Sequence, residues 1–117
     1  MKESIHIYNL RIFCQNNEQF NKVSQTLHIT PNKQWGNLWC FEIEQKENDK
    51  YFDFINRFLD MLEGKYEQLE LVGISKEDIS VWFLYQYENQ CNMEFLPKDL
   101  KRLGSNEISL CISCWEA

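Results

Sequence analysis

An α+β two-layer sandwich is the fold class this sequence predicts: about five strands in a largely antiparallel sheet, with helices on one face. Three observations lead there. Ile79, Val81, Phe83, Tyr85 and Tyr87 alternate with Ser80, Trp82, Leu84 and Gln86, the period-2 pattern of a strand with two unlike faces. Elsewhere apolar residues recur every three or four positions, as on the buried stripe of a helix. The strand-like runs alternate instead of being apolar throughout, which argues against a doubly wound parallel sheet covered on both sides. The expected order is β-α-β-α-β-β-α-β in a single domain spanning residues 1–117.

The first strand runs from about Ser4 to Cys14. Its apolar phase changes midway, from Ile5 and Ile7 to Leu10, Ile12 and Cys14, so a bulge or bend is expected near Asn9. Asn16 or Asn17 caps the next helix, which carries Phe20, Val23 and Leu27 and ends at Thr30-Pro31, since proline pushes its predecessor out of helical geometry. A loop with Trp35 and Gly36 leads to a second strand. There Trp39, Phe41 and Ile43 point one way, and Leu38, Cys40, Glu42 and Glu44 the other.

Lys46 to Asp49 reads as a polar turn, with Asn48 or Asp49 capping the longest helix, whose stripe is Tyr51, Phe54, Ile55, Phe58, Leu59 and Leu62. Gly64 breaks it. A second helical piece with Tyr66, Leu69 and Val72 stops at Gly73, a left-handed cap against which Ile74 packs back. After the Ile79–Tyr87 strand, Glu88-Asn89-Gln90 turns into a shorter alternation, Cys91-Met93-Phe95, expected as the second arm of a hairpin. A compact helix opened by Pro97 and closed by Gly104 precedes a last strand through Ile108, Leu110 and Ile112.

The 117 residues are 44% hydrophobic and 15% aromatic, enough for a core without disulfide or metal support. A net charge of −6 with no basic stripe argues against nucleic-acid binding. The densest basic group, Lys98, Lys101 and Arg102, sits near the end of the last helix, where cations favour the helix dipole. No signal-peptide pattern opens the sequence and no run of about 18 apolar residues occurs, so the expected compartment is the cytoplasm and no membrane partner is expected.

Five cysteines, Cys14, Cys40, Cys91, Cys111 and Cys114, read as reduced thiols. Cys111 and Cys114 form a CxxC, but inside a strand residues three apart face opposite ways, so their sulfurs diverge. Neither His6 nor His28 stands in a catalytic or zinc-binding spacing, and no glycine-rich phosphate loop is present. No catalytic residue, metal or cofactor is therefore expected.

If Trp39, Phe41, Ile43, Val81, Phe83, Tyr85, Ile108, Leu110 and Ile112 face the helices, the other sheet face carries Glu42, Glu44, Trp82, Leu84, Gln86, Ser109, Cys111, Ser113 and Trp115. Tryptophan among polar and acidic residues has the composition of a contact surface. Glu42, Glu44, Trp82 and Trp115 are the expected protein-binding residues. A covering loop around Trp35, or a homodimer, explains the same composition.

The segment Val23-Ser24-Gln25-Thr26-Leu27-His28-Ile29-Thr30-Pro31 resembles the I-T-x-x-L-G-I-x-P element of a family of small bacterial domains of unknown function, with His28 where that family commonly has glycine. Trp39, the Phe52–Leu62 helix, Val81–Tyr85 and the Phe95–Leu103 segment fall in the order of that family's later elements, the last resembling its L-x-x-x-L-L-x-x-L helix. The resemblance implies no catalytic residues. Similar small acidic domains act as immunity proteins that neutralise toxins by binding them. The expectation is thus a non-catalytic protein-binding module, with immunity against a bacterial toxin domain as its specific form. The alternative is a small enzyme or ligand-binding domain with a pocket between sheet and helices.

Overall fold

A computed structural model describes residues 5–46 and 52–116. Its elements are β1 (Ile5–Phe13), α1 (Asn17–Leu27), β2 (Lys33–Trp35), β3 (Leu38–Lys46), α2 (Phe54–Leu62), α3 (Tyr66–Leu71), a 3₁₀ turn (Lys76–Asp78), β4 (Ile79–Tyr87), α4 (Pro97–Asn106) and β5 (Ser109–Glu116). The strands form one sheet in the order β2-β3-β1-β4-β5. Three pairings are antiparallel, and β4–β5, joined through α4, is parallel. This is the expected α+β sandwich, with a mixed sheet. Among the described residues no helix is long and apolar enough to cross a membrane.

Register explains why one face is apolar. Ile43, Tyr8, Phe83 and Ile112 lie in one row across β3, β1, β4 and β5, and Phe41, Leu10, Val81 and Leu110 in the next. Trp39, Ile12 and Ile79 make a third. Cross-strand neighbours on one face pack against each other, so these rows form a continuous apolar floor. Val23 and Leu27 of α1, Phe54, Ile55, Phe58, Leu59 and Leu62 of α2, Leu69 of α3 and Leu103 of α4 join the same core cluster. Phe54 meets Phe83 with ring centroids 5.5 Å apart. Trp39 is fully buried, and its Nε1 donates to Ser24 Oγ of α1 at 2.9 Å, which satisfies the one polar group the indole takes inside.

Helix ends follow local chemistry. Asn16 caps α1, its side chain accepting from the Gln19 amide. That helix stops at Leu27, short of the expected end at Thr30-Pro31, because His28 takes a left-handed φ of 57°, a conformation glycine adopts without strain. Gly73 has φ 91°, and the Ile74 amide donates to the Leu69 carbonyl at 2.9 Å while Ile74 is buried, as the sequence predicts.

Several expectations are corrected. β1 pairs without interruption with both β3 and β4, so there is no bulge at Asn9. Ile5 and Ile7 instead keep the strand's alternation and lie on the face away from the helices. Residues Cys91–Phe95 are irregular and pair with no strand; the hairpin is absent because Met93 and Phe95 turn inward against the core instead of joining an edge. The fifth strand is β2, where Trp35 was expected in a loop. Its three residues pair with β3, and Asn32 extends the edge by accepting from the Glu42 amide and donating to the Glu42 carbonyl. The order is therefore β-α-β-β-α-α-β-α-β. Asn48 and Asp49, and Tyr51 of the expected stripe, lie outside the described residues; α2 begins at Phe54, and Asp53 caps it by accepting from the Asn56 amide. Gly104 does not close α4, which continues to Asn106 because Glu107 takes the left-handed cap with φ 59°.

The last helix is fastened to α2 by its own basic residue. Arg102 donates to Asn56 Oδ1 and to Asp60 at 2.7 Å each, and pairs with Glu63. Asn106 adds a donor to Glu63 and accepts from the Tyr66 hydroxyl at 2.8 Å. The Arg102 contact, with help from Asn106, holds the Glu63 carboxyl below its ordinary range.

Candidate functional site

The sheet face opposite the helices is built from the other parity of each strand. Glu42, Asn9, Trp82 and Cys111 lie in one row, and Glu44, Ile7, Leu84 and Ser113 in the next. Cys40, Arg11, Ser80 and Ser109 form a third, which Lys33 of β2 extends. All four residues singled out in the sequence, Glu42, Glu44, Trp82 and Trp115, are on this face, but they are not clustered. Trp115 pairs with Gln86 at the far edge, three strands from β3, so it stands at the opposite side of the sheet from Glu44.

Arg11 organises the centre. Its guanidinium carbon lies 4.1 Å from the centroid of Trp82 and 5.3 Å from that of Trp35, so one cation joins indoles from β4 and β2. Both distances are within cation–π range. Arg11 Nε donates to Asn9 Oδ1 at 3.0 Å, and Asn9 Nδ2 donates to Glu42 Oε1 at 3.0 Å. Lys33 Nζ approaches the other Glu42 oxygen at 3.7 Å. Asn9 is fully buried although no helix lies above it, because the larger side chains of this network close over it. Such a buried amide must have both its groups paired, and it has. Trp82 Nε1 donates to Ser80 Oγ at 2.8 Å, which sets the direction of the indole.

This network changes the role of one expected residue. Glu42 is a paired, largely covered carboxylate, its side chain 15% exposed, and not the free rim charge implied by its strand position. Glu44 is exposed. Arg11, Asn9 and Lys33 went unrecognised in the sequence, and Trp35 was weighed only as part of a loop covering this face. The signal for Arg11 was its odd position in β1, obscured by reading a phase change there; Trp35 carried no signal, since a three-residue strand has no readable period.

Exposed aromatics complete the face. Trp35 is 50% and Trp115 41% exposed, and Phe13, also on this parity of β1, is 55% exposed. Cys40, between Lys33 and Arg11 on the same face, is fully buried, and burial pushes its thiol up to about 11, reinforced by Glu42 and opposed by Arg11 and Lys33. It is an inert thiol at neutral pH. Cys111 faces the same way, beside Trp82, while Cys114 pairs with Tyr85 on the helix side, so the CxxC sulfurs do diverge and both are free.

A second concavity lies on the helix side. A pocket of about 470 Å³ opens between His6 and Tyr85 of the sheet, Asp53 and Phe54 at the start of α2, the segment from Asn92 to Leu96, and Lys98 and Asp99 of α4. His6 lies against Tyr85 in a tilted ring pair with centroids 4.5 Å apart, and Phe83, Tyr8 and Phe54 form the pocket's floor. Asp99 is buried and accepts from Asn56 Nδ2 at 2.8 Å, so it serves the α2–α4 contact. His28 is exposed and does not line this pocket; it borders a separate shallow depression with Lys65 and Gln68. Among the described residues no three histidine, cysteine or carboxylate side chains gather to hold a metal ion.

No protein-family model, curated protein or solved structure matches this chain. What its geometry defines is a small α+β sandwich with one sheet face packed by helices and the other bearing a tryptophan–arginine cluster.

Proposed function

We propose that this chain is a non-catalytic protein-binding module that docks a partner protein on the sheet face opposite its helices. The observation that carries this reading is the cluster of Trp35, Arg11 and Trp82, fixed in place, with exposed Phe13 on the same face and exposed Trp115 at its far edge. Tryptophan and arginine are the residue types most enriched among interface hot spots, and a pre-organised ring loses little entropy on binding. The partner is a protein surface with an apolar groove and a basic rim. Glu44 and the net charge of −6 supply the complementary field, which speeds encounter more than it tightens the complex. A toxin domain neutralised by an acidic immunity protein is the specific form of partner this chemistry suits, and the family resemblance points the same way.

The test is capture from the host in parallel with wild type and Trp82→Ala, then titration of each purified candidate. A partner bound through this face is weakened by about 2 kcal/mol or more, roughly thirtyfold, in Trp82→Ala, and is weakened also in Trp115→Ala. Tyr85→Ala, on the helix side of the sheet where the pocket lies, leaves that affinity unchanged. Equal binding by wild type and both tryptophan variants refutes the proposal. A stable self-dimer broken by Trp82→Ala makes a second copy the occupant and refutes the toxin reading.

The pocket favours a second reading, a small-ligand site. Its volume falls in the range of such sites, and His6, Asp53, Glu94 and Lys98 surround an aromatic floor. Partner binding lost in Tyr85→Ala but kept in Trp82→Ala would place function there.

A further inference from the structure

The segment that forms one wall of the pocket also carries a thiol, and that thiol meets another. Cys91 Sγ lies 3.9 Å from Cys114 Sγ. Strand parity explains the meeting: Cys114 pairs with Tyr85 on the helix side of edge strand β5, and the chain leaving β4 crosses that side on its way to α4. Cys111, on the other parity, cannot reach it. Cys114 is exposed and Cys91 half-buried, whereas Cys14 and Cys40 are fully buried. We propose that Cys91 and Cys114 are a modification site, a dithiol that a low-molecular-weight disulfide oxidises to an intramolecular disulfide, fastening the pocket wall to the sheet edge.

The geometry requires a small movement. A disulfide has sulfurs about 2.05 Å apart, so the two must close by about 1.9 Å. Cys91 belongs to an irregular segment outside the sheet ladder, and χ1 rotation at both residues supplies the rest. In the reaction one protein thiolate attacks the oxidant's disulfide and displaces one of its thiols. The second protein thiolate then attacks the mixed disulfide and displaces the other. One S–S bond forms in the protein and one is lost from the oxidant. Two electrons pass to the oxidant, and the protons of Cys91 and Cys114 end on the two released thiols. Partial burial and the neighbouring Cys114 sulfur raise the Cys91 thiol, so the reaction speeds up as pH rises.

The consequence concerns residues 92–96, which line the pocket between Cys91 and α4. With Cys91 held to β5, that wall is anchored at both ends, by the sulfur bond on one side and by α4 on the other. This inference stands apart from the sheet-face reading, since Trp82 and Arg11 lie on the opposite face.

The test treats the reduced full chain with oxidised glutathione at about pH 8, blocks remaining thiols with N-ethylmaleimide under denaturing conditions, and measures intact mass and peptide map. The expected species, before alkylation, is lighter than the reduced chain by about 2 Da. It yields a Cys91–Cys114 cross-linked peptide and alkylation at Cys14, Cys40 and Cys111. Amide exchange across 92–96 slows severalfold in the oxidised chain and recovers on reduction. Cys91→Ser and Cys114→Ser, at sites that are not fully buried, each abolish the cross-link while keeping the reduced wild-type melting temperature. An unreactive pair, lasting glutathione adducts without the cross-link, or a bond to any other cysteine overturns the site. Unchanged exchange across 92–96 overturns the fastening of the wall.

Discussion

Truncation of Phe58 to alanine tests the two-layer arrangement most directly. Phe58 is fully buried in the middle of α2, with Phe54 one turn earlier at a centroid distance of 6.4 Å. Removing about 150 Å² of buried ring forfeits about 4 kcal/mol at about 25 cal/mol per Å². A compact unfolded state lowers that figure to roughly 3 kcal/mol. The cavity left beneath α2 raises it again, because the sheet below is held by its own ladder and cannot collapse into the gap. The expected cost is about 3–5 kcal/mol, a fifth or more of the about 5–15 kcal/mol ordinary for a domain. Leu71→Ala is the control: Leu71 is 87% exposed at the end of α3, and its loss costs under about 0.5 kcal/mol. Urea unfolding followed by tryptophan fluorescence measures both, with equal m-values required for the comparison. A Phe58→Ala cost below about 1 kcal/mol, or one equal to that of Leu71→Ala, would refute the packing of α2 on the sheet.

Two further predictions follow from local geometry. Glu63 has a folded pKa lowered beneath its usual 4.5 by Arg102, so its contribution is present above that value and is lost as pH falls through the folded pKa. Glu63→Gln should flatten the acid side of the stability–pH curve while leaving its slope near neutrality alone, and an unchanged acid limb would mean the α2–α4 ion pair is unimportant. At the end of α1, His28→Gly should stabilise by about 0.5–1 kcal/mol, since φ 57° strains any residue with a Cβ. A lower denaturation midpoint in that variant would show that the imidazole makes a compensating contact.

Phase was legible where a strand was long and followed its period. Residues 38–44 and 79–87 showed which side chains share a face, and those placements hold in the sheet register. The stripe of α2 and the stop at Gly73 were equally plain, because both arise from neighbours within one or two turns. β1 misled for a physical reason. Ile5 and Ile7 are apolar residues on the open face, so composition imitated a phase change that the backbone does not make. The Cys91–Phe95 alternation misled in a similar way, since Met93 and Phe95 are apolar to cover the core from a loop and not to sit in a ladder.

The sequence by itself determined the fold class, the single apolar face of the sheet and the side on which Glu42, Glu44, Trp82 and Trp115 stand, because each follows from periodicity along the chain. Only the tertiary structure decided strand order, the pairing of β5 beside β4, and hence which distant side chains meet. Arg11 between Trp35 and Trp82, Lys33 against Glu42, and Cys91 beside Cys114 each join residues more than 20 positions apart, or on strands whose adjacency no local period encodes. Backbone chemistry is read from neighbours in sequence; a site is made by neighbours in space, and those are fixed only when the sheet closes its register.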